Sequence, residues 1–328
     1  MSTESRKLIF RSLLPYGGRA VFGLLMTATI LPSASYATCR RAAADLPITI
    51  QDTRPVIGAK INGQDAKLLI DSGSYLSSMS ASAAEQYKLQ TGVSASHASP
   101  SAAVVRKFTV ANVDVNNFEF QITGNQGGDS GNAGLLGQSF LERWDVEYDL
   151  ANGMLRLMTD DDCHNTFLAY WVTPGQAYTT MSIRSASTKE PLTMGTAYVN
   201  GVKIRVTFDT GAPQSVLSVK AAERAGVKID AAGVVDGGLT RGAGRNLVKS
   251  YIAPFDSFKF ENGEEIRHTR LRVADLNMNS DMLLGADFFL SHRVFVASSQ
   301  NKLYFTYNGG PVFNLMTASQ TASQPTTP

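Results

Sequence analysis

"INGQDAKLLIDSGSYLSSMSASAAEQY", residues 61–87, carries an apolar run into a single aspartate, Asp71, and turns at once through Ser72 and Gly73. An aspartate at a strand end ordinarily caps a turn. The stretch changes meaning when it is set against "VNGVKIRVTFDTGAPQSVLSVKAAERA", residues 199–225. At a constant offset of 138 and without a gap, Asn62, Gly63, Asp71, Gly73, Ser77, Ser80, Ala83, Ala84 and Glu85 fall on Asn200, Gly201, Asp209, Gly211, Ser215, Ser218, Ala221, Ala222 and Glu223. Nine identities within 24 residues mark a duplicated unit, and a repeat of this kind governs the reading of the whole fold.

A second match follows at offset 148, where "GLLGQSFL" (134–141) meets "MLLGADFF" (282–289). The second unit has therefore gained ten residues between its two matched blocks. The chain reads as two lobes, 45–163 and 189–316, joined by a connector at 164–188. The tail, 317–328, is "TASQTASQPTTP", which has no apolar pattern and is expected to be disordered. Asn-Gly recurs at 62, 152, 200, 262 and 308, mostly between apolar or alternating runs, which is a strong hairpin signal. "VKIRVTF" alternates cleanly before Asp209, and helical pattern is confined to Ser80–Tyr87, its copy Ser218–Ala225, and a turn after each Leu-Leu-Gly. Short strands with frequent turns predict an all-β chain, one small barrel per lobe.

Composition excludes several function classes. Thirty basic against 28 acidic residues give a net charge of +2, which gives nucleic acid no reason to bind. His97, His164, His268 and His292 are scattered without metal-ligand spacing, and the acidic run Asp160-Asp161-Asp162 lacks the spacing of a calcium loop. No metal and no cofactor are expected. Arg6, Lys7, Arg11 and Arg19 precede or open the apolar stretch Ala20–Leu31, and Ser35-Tyr36-Ala37 offers small residues to a signal peptidase. Residues 1–37 are read as a secretory signal, with an uncleaved anchor as the alternative. Cleavage leaves 26 basic and 27 acidic residues, since the segment holds four of the former and one of the latter. The mature chain is expected to be exported, periplasmic or secreted, with no stable membrane insertion. Cys39 and Cys163 both survive cleavage, so an exported chain has either one disulfide or two isolated thiols.

The two lobes each offer one aspartate in the same local setting. Brought face to face by a pseudo-twofold axis, Asp71 and Asp209 would share one proton, because two adjacent carboxylates do not ionise together easily. One then accepts a proton from a bound water while the other donates to a substrate carbonyl. Asp71-Ser72-Gly73 and Asp209-Thr210-Gly211 resemble the paired Asp-Thr/Ser-Gly motifs of aspartic peptidases. Leu135-Leu136-Gly137 and Leu283-Leu284-Gly285 resemble the hydrophobic-hydrophobic-Gly segment that follows in each lobe of that family. Lobe size is similar to the retropepsin-like unit, so the chain resembles a bacterial retropepsin-like aspartic peptidase with two units in tandem.

That resemblance implies retropepsin-like barrel lobes and an endopeptidase with Asp71 and Asp209 as its catalytic pair. Ser72 and Thr210 would hydrogen-bond across the lobe interface, Gly73 and Gly211 would let the loops approach, and the Leu-Leu-Gly segments would support them from beneath. Small Ser74 and Ala212 fit the position after each glycine. The family also covers its cleft with a hairpin flap. In "DGGLTRGAGRNLV" (236–248), Gly237, Gly238, Gly242 and Gly244 make the better candidate, while the lobe 1 counterpart, "VSASHASPSAAVVRKF", has no glycine. The substrate would be an extended polypeptide, and with both halves of the site in one chain a monomer is expected to suffice. Two other classes stand beside the endopeptidase: an inactive peptide-binding protein with the same fold, which the retention of both aspartates disfavours, and a glycosidase, which the twin settings of the carboxylates disfavour.

Overall fold

Asn-Gly pairs decide where the chain reverses. Asn62 (φ 49°) with Gly63 (φ 85°), and Asn200 (φ 49°) with Gly201 (φ 76°), occupy the left-handed region at the tips of two-residue hairpins. Strand twist requires that turn geometry, and Asn-Gly accepts it at least cost. Asn308 and Gly309 lie past the last strand instead and join no pair of strands. The computed structural model describes residues 40–92, 101–124, 131–160, 163, 166–184, 192–241, 247–276, 278–313 and 315. The expected signal segment, Cys39, the tail and the Gly242–Gly244 stretch lie outside the described residues.

In the first half the chain runs through β1 (Arg40–Gln51), β2 (Arg54–Ile61), β3 (Gln64–Ile70), β4 (Ser78–Ser80), α1 (Ala81–Gln86), β5 (Thr91–Gly92), β6 (Ala102–Val110), β7 (Val113–Thr123), β8 (Gly134–Leu136), α2 (Gln138–Leu141), β9 (Asp145–Asp149) and β10 (Met154–Asp160). The second half has β11 (Thr179–Ser182), β12 (Met194–Val199), β13 (Val202–Phe208), β14 (Val216–Ser218), α3 (Val219–Arg224), β15 (Val235–Arg241), β16 (Leu247–Phe260), β17 (Glu265–Ala274), β18 (Met282–Leu284), α4 (Ala286–Ser291), β19 (His292–Ala297) and β20 (Lys302–Tyr307). Ser80 and Ser218 each cap their short helix by accepting from the amide three residues on, Ala83 and Ala221.

Each lobe closes into a six-stranded barrel. In lobe 1 the order β2-β3-β8-β4-β7-β6 returns to β2, and in lobe 2 β12-β13-β18-β14-β17-β16 returns to β12. Closure removes exposed edges and gives each barrel a continuous apolar interior. Alternation along β13 shows why: Ile204, Val206 and Phe208 are buried, while Lys203 and Arg205 face water. Phe108, Phe118, Phe120 and Phe140 pack edge-to-face or stacked in lobe 1. Phe258, Phe260, Phe288 and Phe305 do the same in lobe 2.

A central antiparallel sheet, β11-β20-β19-β9-β10-β1, joins the lobes. The stretch expected as a connector supplies one of its strands, β11, paired with β20. Across the middle, Val294 faces Tyr148, Phe295 faces Glu147 and Val296 faces Val146. The sheet's two faces separate by alternation. Val146, Tyr148, Leu155, Leu157, Val294 and Val296 belong to the main core. On the outer face, Met158, Phe295, Ala297 and Tyr304 pack under Leu168, Ala169 and Trp171, which follow Cys163. Cys163 is buried and disulfide-bonded, while Cys39, the other member of the expected pair, is not among the described residues. Among the described residues no helix is long and apolar enough to cross a membrane.

Candidate active site

The two Asp loops leave the barrels at equivalent places. β3 delivers Asp71 and β13 delivers Asp209. The Asp71 N–H donates to Leu136 O and the Asp209 N–H to Leu284 O, both at 2.9 Å. β8 runs parallel to β3 and antiparallel to β4, and β18 does the same between β13 and β14. Leu136 and Leu284 are fully buried beneath the loops, whereas Leu135 and Leu283 alternate to the other face and remain partly open. The Gly137 N–H donates to Ser77 Oγ at 3.1 Å, and the Gly285 N–H to Ser215 Oγ at 2.9 Å.

Ser72 and Thr210 tie the loops together in a crossed clasp. The Ser72 N–H donates to Thr210 Oγ1 at 3.1 Å, and the Thr210 N–H donates to Ser72 Oγ at 3.0 Å. Each hydroxyl then donates to the opposite lobe: Ser72 Oγ to Phe208 O at 2.9 Å and Thr210 Oγ1 to Ile70 O at 2.8 Å. Ser72 and Thr210 are both buried, so these four bonds satisfy groups that would otherwise be stranded away from water.

Gly73 and Gly211 make the approach possible. A Cβ on Gly73 would fall 2.1 Å from Asp209 Cγ, and one on Gly211 would fall 2.3 Å from Asp71 Cγ. Each carboxylate therefore lies against the glycine of the other loop. Gly73→Ala is expected to force the loops apart and to lower stability by about 2–3 kcal/mol, as overpacking does. Urea unfolding of the variant against the parent chain measures it, and an unchanged midpoint would contradict the contact.

The carboxyl groups hydrogen-bond to each other and both are shifted above the usual carboxylate value of 3.8. Asp71 is raised to about 8, by desolvation first and by the Asp209 charge second, against the opposing pull of the Gly73 and Ser74 amides. Asp209 is raised by desolvation, while the Ala212 and Gly211 amides and the Asp71 side chain hold it down. Asp209 Oδ1 accepts from Gly211 N at 2.9 Å and Ala212 N at 3.0 Å, and Asp71 Oδ1 accepts from Gly73 N at 3.0 Å. The shared proton is thus drawn to the Asp71 side, and the pair titrates as one unit in two steps. Both side chains keep part of their surface open to the cleft, where a water can reach them.

The flap candidate is a hairpin arm of lobe 2. β15 pairs with β16, and its register slips between Asp236 and Gly238, where Asp236 Oδ1 accepts from Gly238 N at 2.7 Å. Leu239 and Leu247 stand exposed, while Val248 packs beside Val216, Ala274 and Leu283. Gly237 and Gly238 lie in β15, and Gly242 and Gly244 are outside the described residues. In lobe 1 the matching arm reduces to Thr91–Gly92 against Ala102–Ala103. Among the described residues no group of three or more His, Cys, Asp or Glu is placed to hold a metal ion.

Two polar groups beneath the site were not read from the sequence. Gln138 Nε2 donates to Ser72 O at 2.8 Å, and the buried Tyr148 hydroxyl hydrogen-bonds the Ser72 side chain near Asp71. Both belong to lobe 1, and at offset 148 their counterparts are Ala286 and Val296. Comparing the halves for differences, as well as identities, exposes both positions.

Two six-stranded barrels that meet through mirrored Asp-Ser/Thr-Gly loops define a two-lobed acid-protease architecture. Residues 57–143 match the family described as gag-polyprotein putative aspartyl protease, and residues 195–288 match the family described as aspartyl protease. The chain thus belongs to the retroviral-type aspartyl proteases, with two units in tandem. Among solved structures it is similar to a retropepsin-like aspartic protease from Rickettsia conorii, at 18% identity over 40% of this chain and 90% of that one (TM-score 0.28). It is also similar to an aspartic proteinase from Irpex lacteus, at 12% identity over 84% and 99% of the two chains (TM-score 0.47). Basic 7S globulin from soybean matches at 11% identity over 80% and 94% (TM-score 0.44). No curated protein matches the sequence.

Proposed function

We propose that the chain is an aspartic endopeptidase that hydrolyses peptide bonds with a water held between Asp71 and Asp209. The observation that carries this reading is the reciprocal packing of each carboxylate against the other loop's glycine, fixed by the crossed clasp. In the singly protonated pair, Asp209 accepts a proton from the water as it attacks the scissile carbonyl carbon. Asp71 donates its proton to the carbonyl oxygen, giving a neutral gem-diol. Proton transfer to the amine nitrogen then breaks the C–N bond and restores the pair. An extended polypeptide lies along the cleft beneath the β15–β16 hairpin, its alternate side chains turned into lobe 1 and lobe 2. One chain supplies both loops, so a monomer is the active species, exported after removal of residues 1–37.

The test is cleavage of an unfolded protein and a peptide library by the mature, folded chain between pH 3 and 7. Internal cuts at several sites, with sedimentation of the active species as a monomer, support the reading. Absence of cleavage by demonstrably folded protein overturns it.

A further inference from the structure

The clasp is built from matching bonds, but its surroundings differ between the lobes. Tyr148 projects from the inner face of β9, 2% exposed, with its ring edge against Phe289 at 5.0 Å. Its hydroxyl meets Ser72, whose Oγ already accepts from Thr210 N at 3.0 Å and donates to Phe208 O at 2.9 Å. A hydroxyl has one proton to give and two lone pairs to fill. With Tyr148 as second donor, Ser72 Oγ is saturated, and its proton is committed to Phe208, the residue before Asp209. Donation from Tyr148 also polarises the Ser72 O–H and strengthens its bond to Phe208 O. The sheet register makes Val296 the symmetry mate of Tyr148, and valine has no polar atom to offer Thr210.

We propose that Tyr148 is a positioning residue: by donating to Ser72 Oγ it locks the arm of the clasp that reaches Asp209, so the two halves of the duplicated site are held unequally. This rests on the peptidase reading above. The aspartates touch the water and Tyr148 does not, so it acts only through Ser72. The locked arm keeps the carboxyls together and sheltered, which holds the upper step of the pair high. Other ionisable groups on the adjoining elements have their own partners. On α4, Asp287 is bound by Ser215, and the following His292 by Glu264. Glu147, Asp149, Arg156 and Arg293 pair among themselves on the opposite face of the sheet.

The experiment compares Tyr148→Phe, which keeps the ring, with Leu155→Val, which disturbs packing at the cross-strand neighbour of Tyr148. In Tyr148→Phe, kcat is expected to fall about tenfold with KM unchanged, a loss within the range of one hydrogen bond. The upper limb of its kcat/KM profile should move to lower pH by roughly half a unit. Leu155→Val should lower the thermal midpoint and leave the limb where it is. A Tyr148→Phe profile that coincides with wild type, or an equal shift in Leu155→Val, overturns the proposal. The pH dependence of the unfolding midpoint reports the same pair without turnover. Should wild type prove inactive, a Tyr148→Phe shift in that curve still supports the positioning role, and its absence overturns it, separately from the fate of the peptidase reading.

Discussion

Asp209→Asn is expected to reduce peptide cleavage by about 10³-fold or more, and Asp71→Asn to do the same. Either change leaves the clasp intact, because the clasp uses Ser72, Thr210, Ile70 and Phe208 and neither carboxylate. Each variant still binds a water. Asp209→Asn has no base to deprotonate it, and Asp71→Asn has no acid of matched strength to meet the forming gem-diol. The double variant should be no slower than either single one, since the two groups act as a unit and their losses do not add. Initial rates on one chosen peptide, with circular dichroism to establish folding, provide the measurement. Activity that survives either substitution would remove the pair from the chemistry.

The same substitutions are expected to make the protein more stable at neutral pH. Both carboxyls have folded values raised above the unfolded 3.8, Asp71 to about 8. Between those values the folded state holds protons that the unfolded chain has released. Stability contributed by these groups is therefore full below pH 3.8 and falls as pH rises toward 8, the reverse of an ordinary ion-paired aspartate. Asp71→Asn removes the slope, and its gain at pH 7 should be about 1–3 kcal/mol, moderated by the water that reaches the cleft. Activity follows the same proton: it falls as pH rises through the upper step, where the pair loses its last proton. Flat activity from neutral pH to 9 would argue against a shared proton.

How much of this was legible beforehand depends on what the duplication preserved. Asp71, Ser72 and Gly73 with their copies stand out because a loop that must meet its own duplicate tolerates little drift, and Leu-Leu-Gly stands out because it fills the floor beneath. The short helices were visible through Ser80 and Ser218, whose caps survive in both lobes. The central sheet was not legible. Its strands come from 40–51, 145–160, 179–182 and 292–307, stretches that pair across the whole chain and carry no local signal of partner. Strand β11 was hidden for that reason inside the expected connector. Tyr148 and Glu147 were illegible because they break the repeat: Val296 and Phe295 stand at the matching positions. Identity between halves finds what symmetry requires. It passes over the residues that make the halves unequal.

Glu147→Ala is expected to be the most destabilising single change in the sheet that joins the lobes, at about 3–5 kcal/mol. The side chain is fully buried on a strand whose cross-strand neighbour in lobe 2 is Phe295. A carboxylate so placed would be untenable alone. Its Oε1 accepts from Arg156 Nη1 and Arg293 Nη2, both at 2.6 Å, and from Arg293 Nε at 2.9 Å, while the Tyr170 hydroxyl donates to Oε2 at 2.7 Å. Arg293 comes from lobe 2 and lies over Trp171 at 4.5 Å and Tyr170 at 5.2 Å, so three parts of the chain converge on one acid. Alanine would leave two guanidinium groups with only Asp149 and Asp45 at 3.5 Å or more and would open a cavity between them. Glutamine keeps the volume and one acceptor, so Glu147→Gln should lose less than the alanine variant. A double-mutant cycle with Arg293→Ala should return a coupling of about 2 kcal/mol, because the two residues share one network. Urea unfolding of the four chains at pH 7 gives the cycle. Additive losses would mean that the acid serves the lobe 1 strand alone and does not hold the lobes together.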